Sequence, residues 1–118
     1  MSNKIKRLLK ELSLEILGFI LMTLSIAFLW KYNGILLLIY ISILYYLDSF
    51  LDKSEMIMGI LGILFFAWGE IFIIHFGAWV YYVNPDFFGI PIWLPYSWGL
   101  LVILIIKLYK TINKFFEV

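Results

Sequence analysis

The sequence lacks or is poor in several residue types, and each shortage excludes a class of function. It contains no cysteine, which excludes disulfides, thiolate metal sites and cysteine nucleophiles. A single histidine is present, too few for a histidine-based metal site, and we expect no metal and no cofactor. Charged residues make up only 14% of the chain, against about 25% in average soluble domains. The net charge of +1 gives no indication of a nucleic-acid partner.

Apolar and aromatic side chains are instead in excess. Hydrophobic residues account for 64% of the chain and aromatic residues for 20%, whereas soluble domains are about 45–50% apolar. A soluble fold of 118 residues could not bury so much apolar surface, so the lipid bilayer must be the solvent. We therefore predict an all-α integral membrane protein, a four-helix bundle with a single polytopic domain over residues 1–118.

Four segments are long and apolar enough to span a membrane, since a helix needs about 20 such residues to cross it. Asn33 and Gly34 form a turn signal between the first two. Ser54 is a candidate N-cap for the third helix, and Asn84-Pro85 predicts its end, because proline disfavours helical geometry in the preceding residue. The predicted spans are 12–30, 35–51, 56–82 and 92–109.

The N-terminal residues before the first span predict a short amphipathic helix. Ile5, Leu8, Leu9 and Leu12 recur with helical spacing among charged residues, as in helices that lie at the headgroup level. Such a segment either senses the lipid surface or only sets the topology, and we favour the second interpretation.

Basic residues are distributed asymmetrically between the predicted loops. Eight of the nine lie on the side of the two termini and only Lys31 lies opposite. Because basic residues favour the cytoplasmic side, we expect a cell-membrane protein with both termini inside. The eight are Lys4, Lys6, Arg7, Lys10, Lys53, Lys107, Lys110 and Lys114.

Glu70 is the principal candidate for function, because it falls near the middle of the predicted third helix. An ionised carboxylate at the centre of a membrane costs at least about 2.5–3.5 kcal/mol, so Glu70 should face the bundle and either find a partner or stay protonated. It could act as a proton donor or acceptor in catalysis. Alternatively, it only links helices by bonding a hydroxyl, with Ser25, Thr23 or Ser42 as candidate partners.

His75 lies close to Glu70 in sequence but not on the same helix face. Five residues turn an α-helix by about 140° beyond a full turn, so the two side chains do not form a local pair. We favour packing over a ligand role for His75. It remains a candidate for an aromatic substrate pocket whose other members are Trp79, Tyr82, Trp93 and Trp98.

The segment between the third and fourth spans predicts an irregular, proline-rich outer loop. Pro91 and Pro95 break helices except at their first turn, and irregular backbone at membrane depth must be buried in protein or line a cavity. We expect this loop to cap the outer half of the bundle near Glu70. Two interpretations of Asp86 are equally favoured. It is either a second catalytic carboxylate or a turn residue that bonds its own backbone.

Two weaker patterns remain. Asp48 and Asp52 are four residues apart, so on one helix they could share a magnesium ion, although solvated helix ends are the favoured interpretation. Glycines recur along the third span, and we predict that they allow close packing of a neighbouring helix. They are Gly59, Gly62, Gly69 and Gly77.

The second half of the chain carries a series of residues that resembles a known family. A membrane glutamate is followed by aromatics, a tyrosine pair, a Phe-Gly-Ile-Pro stretch, a further proline and a tryptophan: Glu70, Tyr81-Tyr82, Phe88-Gly89-Ile90-Pro91, Pro95 and Trp98. This order is similar to that in membrane proteins of carotenoid biosynthesis, the bisanhydrobacterioruberin and lycopene-type hydratases, and more distantly to the lycopene cyclases. The resemblance implies that Glu70 protonates a polyene and that the Gly-Ile-Pro loop closes the site. The paired glutamates of the cyclases have no counterpart here, and a separate four-span family with the same GIPxWLP loop is the alternative.

Three functions follow from these patterns. The first is a lipid- or isoprenoid-directed membrane protein, with enzyme activity left open, in which Glu70 donates or accepts a proton. The second is a non-catalytic accessory subunit of a larger membrane complex. The third, ranked below both, is a proton-coupled transporter working as a homodimer, for which the small multidrug-resistance transporters offer an analogy of size. The expected partners are the bilayer, a lipid or isoprenoid substrate, and further copies or subunits.

Overall fold

A computed structural model describes residues 2–81 and 87–117 of the chain. The described residues form helices and no β-strand. Four of the helices are long and apolar enough to cross a membrane, as the sequence predicts. We label the helices α1 (Asn3–Leu29), α2 (Asn33–Leu47), α3 (Lys53–His75) and α4 (Leu94–Phe115). The second span is α2 together with the 3₁₀ turn that follows it, Asn33–Phe50.

The first hairpin differs from the prediction at both of its helix ends. The amphipathic N-terminal segment is continuous with the first span, because Ser2 caps a single helix that runs through to Leu29. The prediction that Asn33 and Gly34 form the turn is wrong, since α2 begins at Asn33 and the turn is instead the short connection 30–32.

The connection between α2 and α3 separates Asp48 from Asp52. A 3₁₀ turn spans Asp48–Phe50, and Leu51 is then extended. Asp52, and not Ser54, is the N-cap of α3, where it forms a capping box with Glu55. The two aspartates therefore do not share a helix face, and the spacing on which the magnesium alternative depended is not formed.

The third helix ends earlier than predicted. Gly77 has a φ of +82°, and its N–H donates to the Ile74 carbonyl while that of Ala78 donates to Ile73. This is a Schellman motif, in which glycine stops a helix by adopting the left-handed conformation. Consequently α3 has 23 residues, and Glu70 lies near the loop end of α3 rather than at the middle of a span.

A π-helical turn interrupts α3 at Gly62–Phe66, one turn before Glu70. Such turns insert one residue into an α-helix and often lie at functional sites. The insertion changes the register between the two halves of α3, so the α-helical periodicity of the sequence does not apply across it.

The last helix is the centre of the bundle, and it contacts α1, α2 and α3. It starts with Pro95 in its first turn, where proline is favoured. It packs closely on the first half of α3, because a Cβ on Gly59, Gly62 or Gly99 would lie within 3 Å of a side chain of the facing helix. The predicted close packing therefore holds for Gly59 and Gly62. A Cβ on Gly69 or Gly77 would meet nothing within 4 Å.

The two ends of the bundle differ in the elements they contain. The terminal end contains the start of α1, the connection 48–52 and the last turns of α4, which ion pairs bring together. The loop end contains the turn 30–32 and the connection between α3 and α4.

Candidate functional site at the loop end

The Glu70 carboxylate is held by two donors from different parts of the chain. The Tyr81 hydroxyl donates to Oε1 at 2.6 Å, and the Trp98 indole Nε1–H donates to Oε2 at 2.6 Å. Glu70 thus joins the last turns of α3 to the following segment and to the first turns of α4. We call these three residues the Glu70 clamp.

Aromatic side chains surround the clamp. The Trp98 ring stacks on Phe66 at a centroid distance of 4.7 Å, and the Trp79 side chain is a hydrogen-bond partner of the Tyr81 hydroxyl. Burial and the hydrogen bond to Glu70 raise the pKa of the Tyr81 phenol, against a smaller opposing effect of Trp79. Tyr81 therefore keeps its proton and acts as a donor to the carboxylate.

The hydroxyl partners predicted for Glu70 include two that bond elsewhere. Thr23 donates to the carbonyl of Phe19 within its own helix. Ser25 donates to the Met22 carbonyl and shares a hydrogen bond of 3.0 Å with the Tyr40 hydroxyl. Ser25 therefore links α1 to α2, Thr23 bonds within α1, and neither bonds Glu70.

The remaining candidates of the predicted site do not converge on the clamp. His75 is exposed, and its ring makes an edge contact with Phe76 at 5.6 Å. Trp93 is buried and packs against the ring of Tyr40 at 6.4 Å. Asp86 and Tyr82 lie outside the described residues, so the proposed roles of both stay predictions.

The described part of the α3–α4 connection contains a tight turn. Phe87 and Ile90 exchange both backbone hydrogen bonds, and Phe88 and Gly89 between them have φ values of +50° and +94°. Two positive φ values in succession are typical of a type I′ turn. Gly89 faces α3, since a Cβ there would lie 3.1 Å from the Ile74 side chain.

An apolar groove lies between this turn, α3 and the start of α4. Its volume is about 500 Å³, and we call it the loop-end groove. Glu70 is not among its lining residues, which are Ile63, Leu64, Ala67, Trp68, Ile71, Phe87, Phe88, Ile92, Pro95 and Tyr96.

The terminal end carries a polar cluster that the sequence analysis did not predict. Glu55 is only 4% exposed and pairs with Lys107 at 3.2 Å. Asp52 pairs with Lys110 at 2.7 Å, and hydrogen bonds from Lys110, Ser54 and the Glu55 N–H hold the pKa of Asp52 well below its usual range.

Helix spacing contained a signal for this cluster. Residues three or four apart share a helix face, and the polar residues of α4 follow that spacing: Lys107, Lys110, Thr111 and Lys114. Glu11 and Glu15 are likewise four residues apart on α1 and share a face. Across the two helices, Thr111 donates to Glu15 at 2.6 Å and Lys114 lies 3.7 Å from Glu11. The lysines, interpreted only as topology signals, also pair with acids across helices.

No protein-family model, curated protein or solved structure matches this chain. The class of the molecule therefore follows from its fold, an all-helical chain with four helices long and apolar enough to span a membrane. Within that class, the Glu70 clamp and the loop-end groove are the features from which a function can be argued.

Proposed function

We propose that the chain is a membrane protein of four spans that binds a lipid or isoprenoid chain in the loop-end groove. The observation that carries this proposal is the groove itself, about 500 Å³ in volume and lined by nine apolar side chains and Tyr96. Ligand pockets are commonly about 300–1,000 Å³ and mostly apolar. A lining of this kind favours an extended hydrocarbon over a polar ligand.

The shape of the groove depends on the two irregular elements beside it. Ile63 and Leu64 lie in the π-helical turn of α3, and Phe87 and Phe88 belong to the tight turn. The rings of Phe87 and Phe88 offer flat, polarizable surfaces, which suits a conjugated or branched chain. This agrees with the isoprenoid class that the resemblance implies.

Within this proposal, Glu70 stabilises the structure beside the groove and does not contact the ligand. Both of its carboxylate oxygens accept hydrogen bonds, and the residue does not line the groove. Because Tyr81 lies in the α3–α4 connection and Trp98 in the first turns of α4, the clamp ties that connection to both helices beside the groove. Proton donation by Glu70 to a polyene requires that the carboxyl first take up a proton and that the oxygen carrying it be released from its donor.

Photo-labelling tests the proposal. The chain is reconstituted in nanodiscs with a diazirine-bearing C20 isoprenoid, irradiated, and analysed by peptide mass spectrometry. We expect labelling on the peptides that contain Phe87–Tyr96, and competition by unlabelled isoprenoid but not by added phospholipid. Ile71→Trp, which fills the groove, should reduce the labelling at least about fivefold, an effect of about 1 kcal/mol on binding.

The matched control is Ile57→Trp, the same change at an exposed position of α3 outside the groove. It should label like the wild type. Labelling spread evenly over all four helices, or unchanged labelling in Ile71→Trp, would contradict the proposal.

An accessory subunit is the second candidate, and a row of exposed aromatic rings on α3 favours it. Trp68 stacks on Phe72 at 5.4 Å and Phe72 makes a tilted contact with Phe76 at 4.8 Å, and the three rings are 50–72% exposed. Aromatic side chains are enriched at protein interfaces. Under this function the row binds another membrane subunit, and the chain purifies in a larger complex.

We also propose that both termini are cytoplasmic in the cell membrane. The asymmetry of the basic residues supports this orientation, because Lys31 is the one basic residue of the sequence at the loop end. In this orientation the groove and the clamp lie in the outer half of the bilayer.

A further inference from the structure

A polar cavity and an apolar groove meet at the terminal end of the bundle. The polar cavity has a volume of about 470 Å³ and is lined by the ionic cluster of α1, α3 and α4. The apolar groove, about 440 Å³, runs between α1, α2 and α4. Leu14 lines both, so together they form one amphipathic surface far from the loop-end groove.

The polar cavity has more carboxylates than lysines. Four acids line it, Glu11, Glu15, Asp52 and Glu55, together with three lysines, Lys107, Lys110 and Lys114. The formal charge of the lining is therefore −1. Two of the lysines are committed to the α3 acids, since Lys107 lies 3.2 Å from Glu55 and Lys110 lies 2.7 Å from Asp52.

Glu11 and Glu15, the two acids from α1, have no cationic hydrogen-bond donor in the described part of the chain, and only Glu15 has a buried oxygen without a partner. Its Oε1 accepts from Thr111 at 2.6 Å, while its Oε2 is buried and has no hydrogen-bond partner among the described residues. A buried acceptor without a donor costs about 1–3 kcal/mol, and more when it is charged. The lining of the cavity therefore leaves Oε2 of Glu15 without a positively charged hydrogen-bond donor.

The apolar groove begins where the polar cavity ends. Along α1 it follows Leu14, Gly18, Leu21 and Ser25, one helix face of about 16 Å at 1.5 Å per residue. Gly18 keeps it open, because a Cβ there would lie 3.2 Å from Leu104 on the facing helix. An extended acyl chain fits such a strip beside a headgroup.

We propose that this surface binds a phospholipid whose headgroup carries a primary ammonium, with one acyl chain along the α1–α2 groove. The ammonium donates to Oε2 of Glu15 after a rotation of the carboxylate turns this buried atom toward the cavity. A quaternary ammonium cannot do so, because it has no N–H. Lys114 is half exposed and 3.7 Å from Glu11, beyond hydrogen-bond distance, so it is the lysine placed to contact the phosphate.

Native mass spectrometry of the full chain tests this site. The protein is reconstituted in equimolar phosphatidylethanolamine and phosphatidylcholine, extracted in mild detergent, and the retained lipids are counted. We expect phosphatidylethanolamine to be retained at least about tenfold over phosphatidylcholine, as one hydrogen bond to a charged group allows. N-methylated derivatives of phosphatidylethanolamine should be retained as long as the ammonium keeps an N–H, and the preference should disappear when the last N–H is replaced by a methyl group.

Two variants separate the headgroup from the chain. Glu15→Gln should bring the two lipids to equal retention, whereas Glu117→Gln, at an exposed position outside the cavity, should not. Gly18→Leu should reduce retention of both lipids. Its control is Gly34→Leu, since a Cβ on Gly34 would meet nothing within 4 Å.

Soluble glycerophosphoethanolamine distinguishes a lipid from a free amine as the ligand. It should compete weakly, since it lacks the acyl chain, and competition equal to that of the whole lipid would overturn the lipid assignment. Equal retention of the two lipids by the wild-type protein would overturn the ammonium assignment, whatever the variants do. A preference that survives in Glu15→Gln would equally overturn it.

Discussion

A carboxylate near a membrane is stable when donors replace the water that it has lost. Glu70 obtains two such donors, the Tyr81 phenol and the Trp98 indole, and hydrogen bonds to an ionised group are among the stronger ones in proteins. Its position five residues from the end of α3 also reduces the desolvation cost, because this cost falls toward the interface.

Removing the Glu70 carboxylate should destabilise the protein, while replacing it by an amide should not. Glu70→Ala leaves the Tyr81 hydroxyl and the Trp98 N–H without their acceptor, and we expect a loss of about 2–4 kcal/mol in the free energy of unfolding. Glu70→Gln keeps an oxygen for Trp98 and an amide that can donate to Tyr81, with a loss below about 1 kcal/mol. Denaturation in mixed micelles, followed by tryptophan fluorescence, measures both.

The control is Glu117→Ala at the exposed C-terminal turn, which should melt like the wild type. Equal stability of Glu70→Ala and the wild type would contradict the clamp. The same Gln variant also tests proton chemistry, since it has no titratable proton. Lipid extracts of cells carrying it should lose any product that depends on Glu70, although the protein remains folded.

The sequence singles out Glu70 and includes Trp98 among the candidate pocket residues, but it does not show that Tyr81 and Trp98 bond the carboxylate. A lone glutamate in an apolar helix stands out by its desolvation cost alone. Tyr81 and Trp98 are 11 and 28 residues away, so their approach depends on where α3 ends and how α4 packs on it. The local periodicity of the sequence predicts neither the end of α3 nor the packing of α4 on it.

At the scale of the element, α3 shows how competing signals can mislead a prediction. Asn84-Pro85 is a strong helix terminator, but a chain leaves a helix at the first adequate stop. His75-Phe76-Gly77 offers that stop seven residues earlier, with a basic residue in the last turn and glycine beyond the cap, both favourable at a C-terminus. The π-turn has no comparable sequence signal.

The close contact of α3 and α4 predicts which glycines tolerate a methyl group. In Gly99→Ala the new Cβ would lie 2.5 Å from Ile63 and 3.1 Å from the Gly59 carbonyl oxygen. The helices would have to separate, and we expect a loss of about 1–3 kcal/mol in the free energy of unfolding. Thermal unfolding in detergent, followed by circular dichroism, measures it.

Gly69→Ala is the matched control on α3, because a Cβ at that position would meet nothing within 4 Å. Alanine is the better helix former by up to about 1 kcal/mol, so this variant should be as stable as the wild type or slightly more stable. A Gly99→Ala protein that unfolds at the wild-type temperature would show that α3 and α4 are not in close contact.

At the scale of the whole molecule, the two ends of the bundle have different chemistry. The terminal end holds the ion pairs of Lys107, Lys110 and Lys114 with acids of α1 and α3, whereas aromatic rings and the Glu70 clamp dominate the loop end. The number of spans could be predicted because the length and the mean hydropathy of a helix depend only on the residues of its own segment. The polar faces of α1 and α4 could be predicted from helix spacing, but which residues pair could not, because the partners are 50 or more residues apart.

The same polarity predicts the orientation of the protein, and the absence of cysteine makes it simple to measure. In Tyr32→Cys, at an exposed position of the loop end, the thiol should react with a membrane-impermeant maleimide added to intact cells. In Glu117→Cys it should react only after the cells are permeabilised. The cysteine-free parent chain is the background control for both. Labelling of Glu117→Cys in intact cells would show that the terminal end is outside the cell. In that case the lysines of α4 would not act as topology signals, because they are neutralised by their ion pairs.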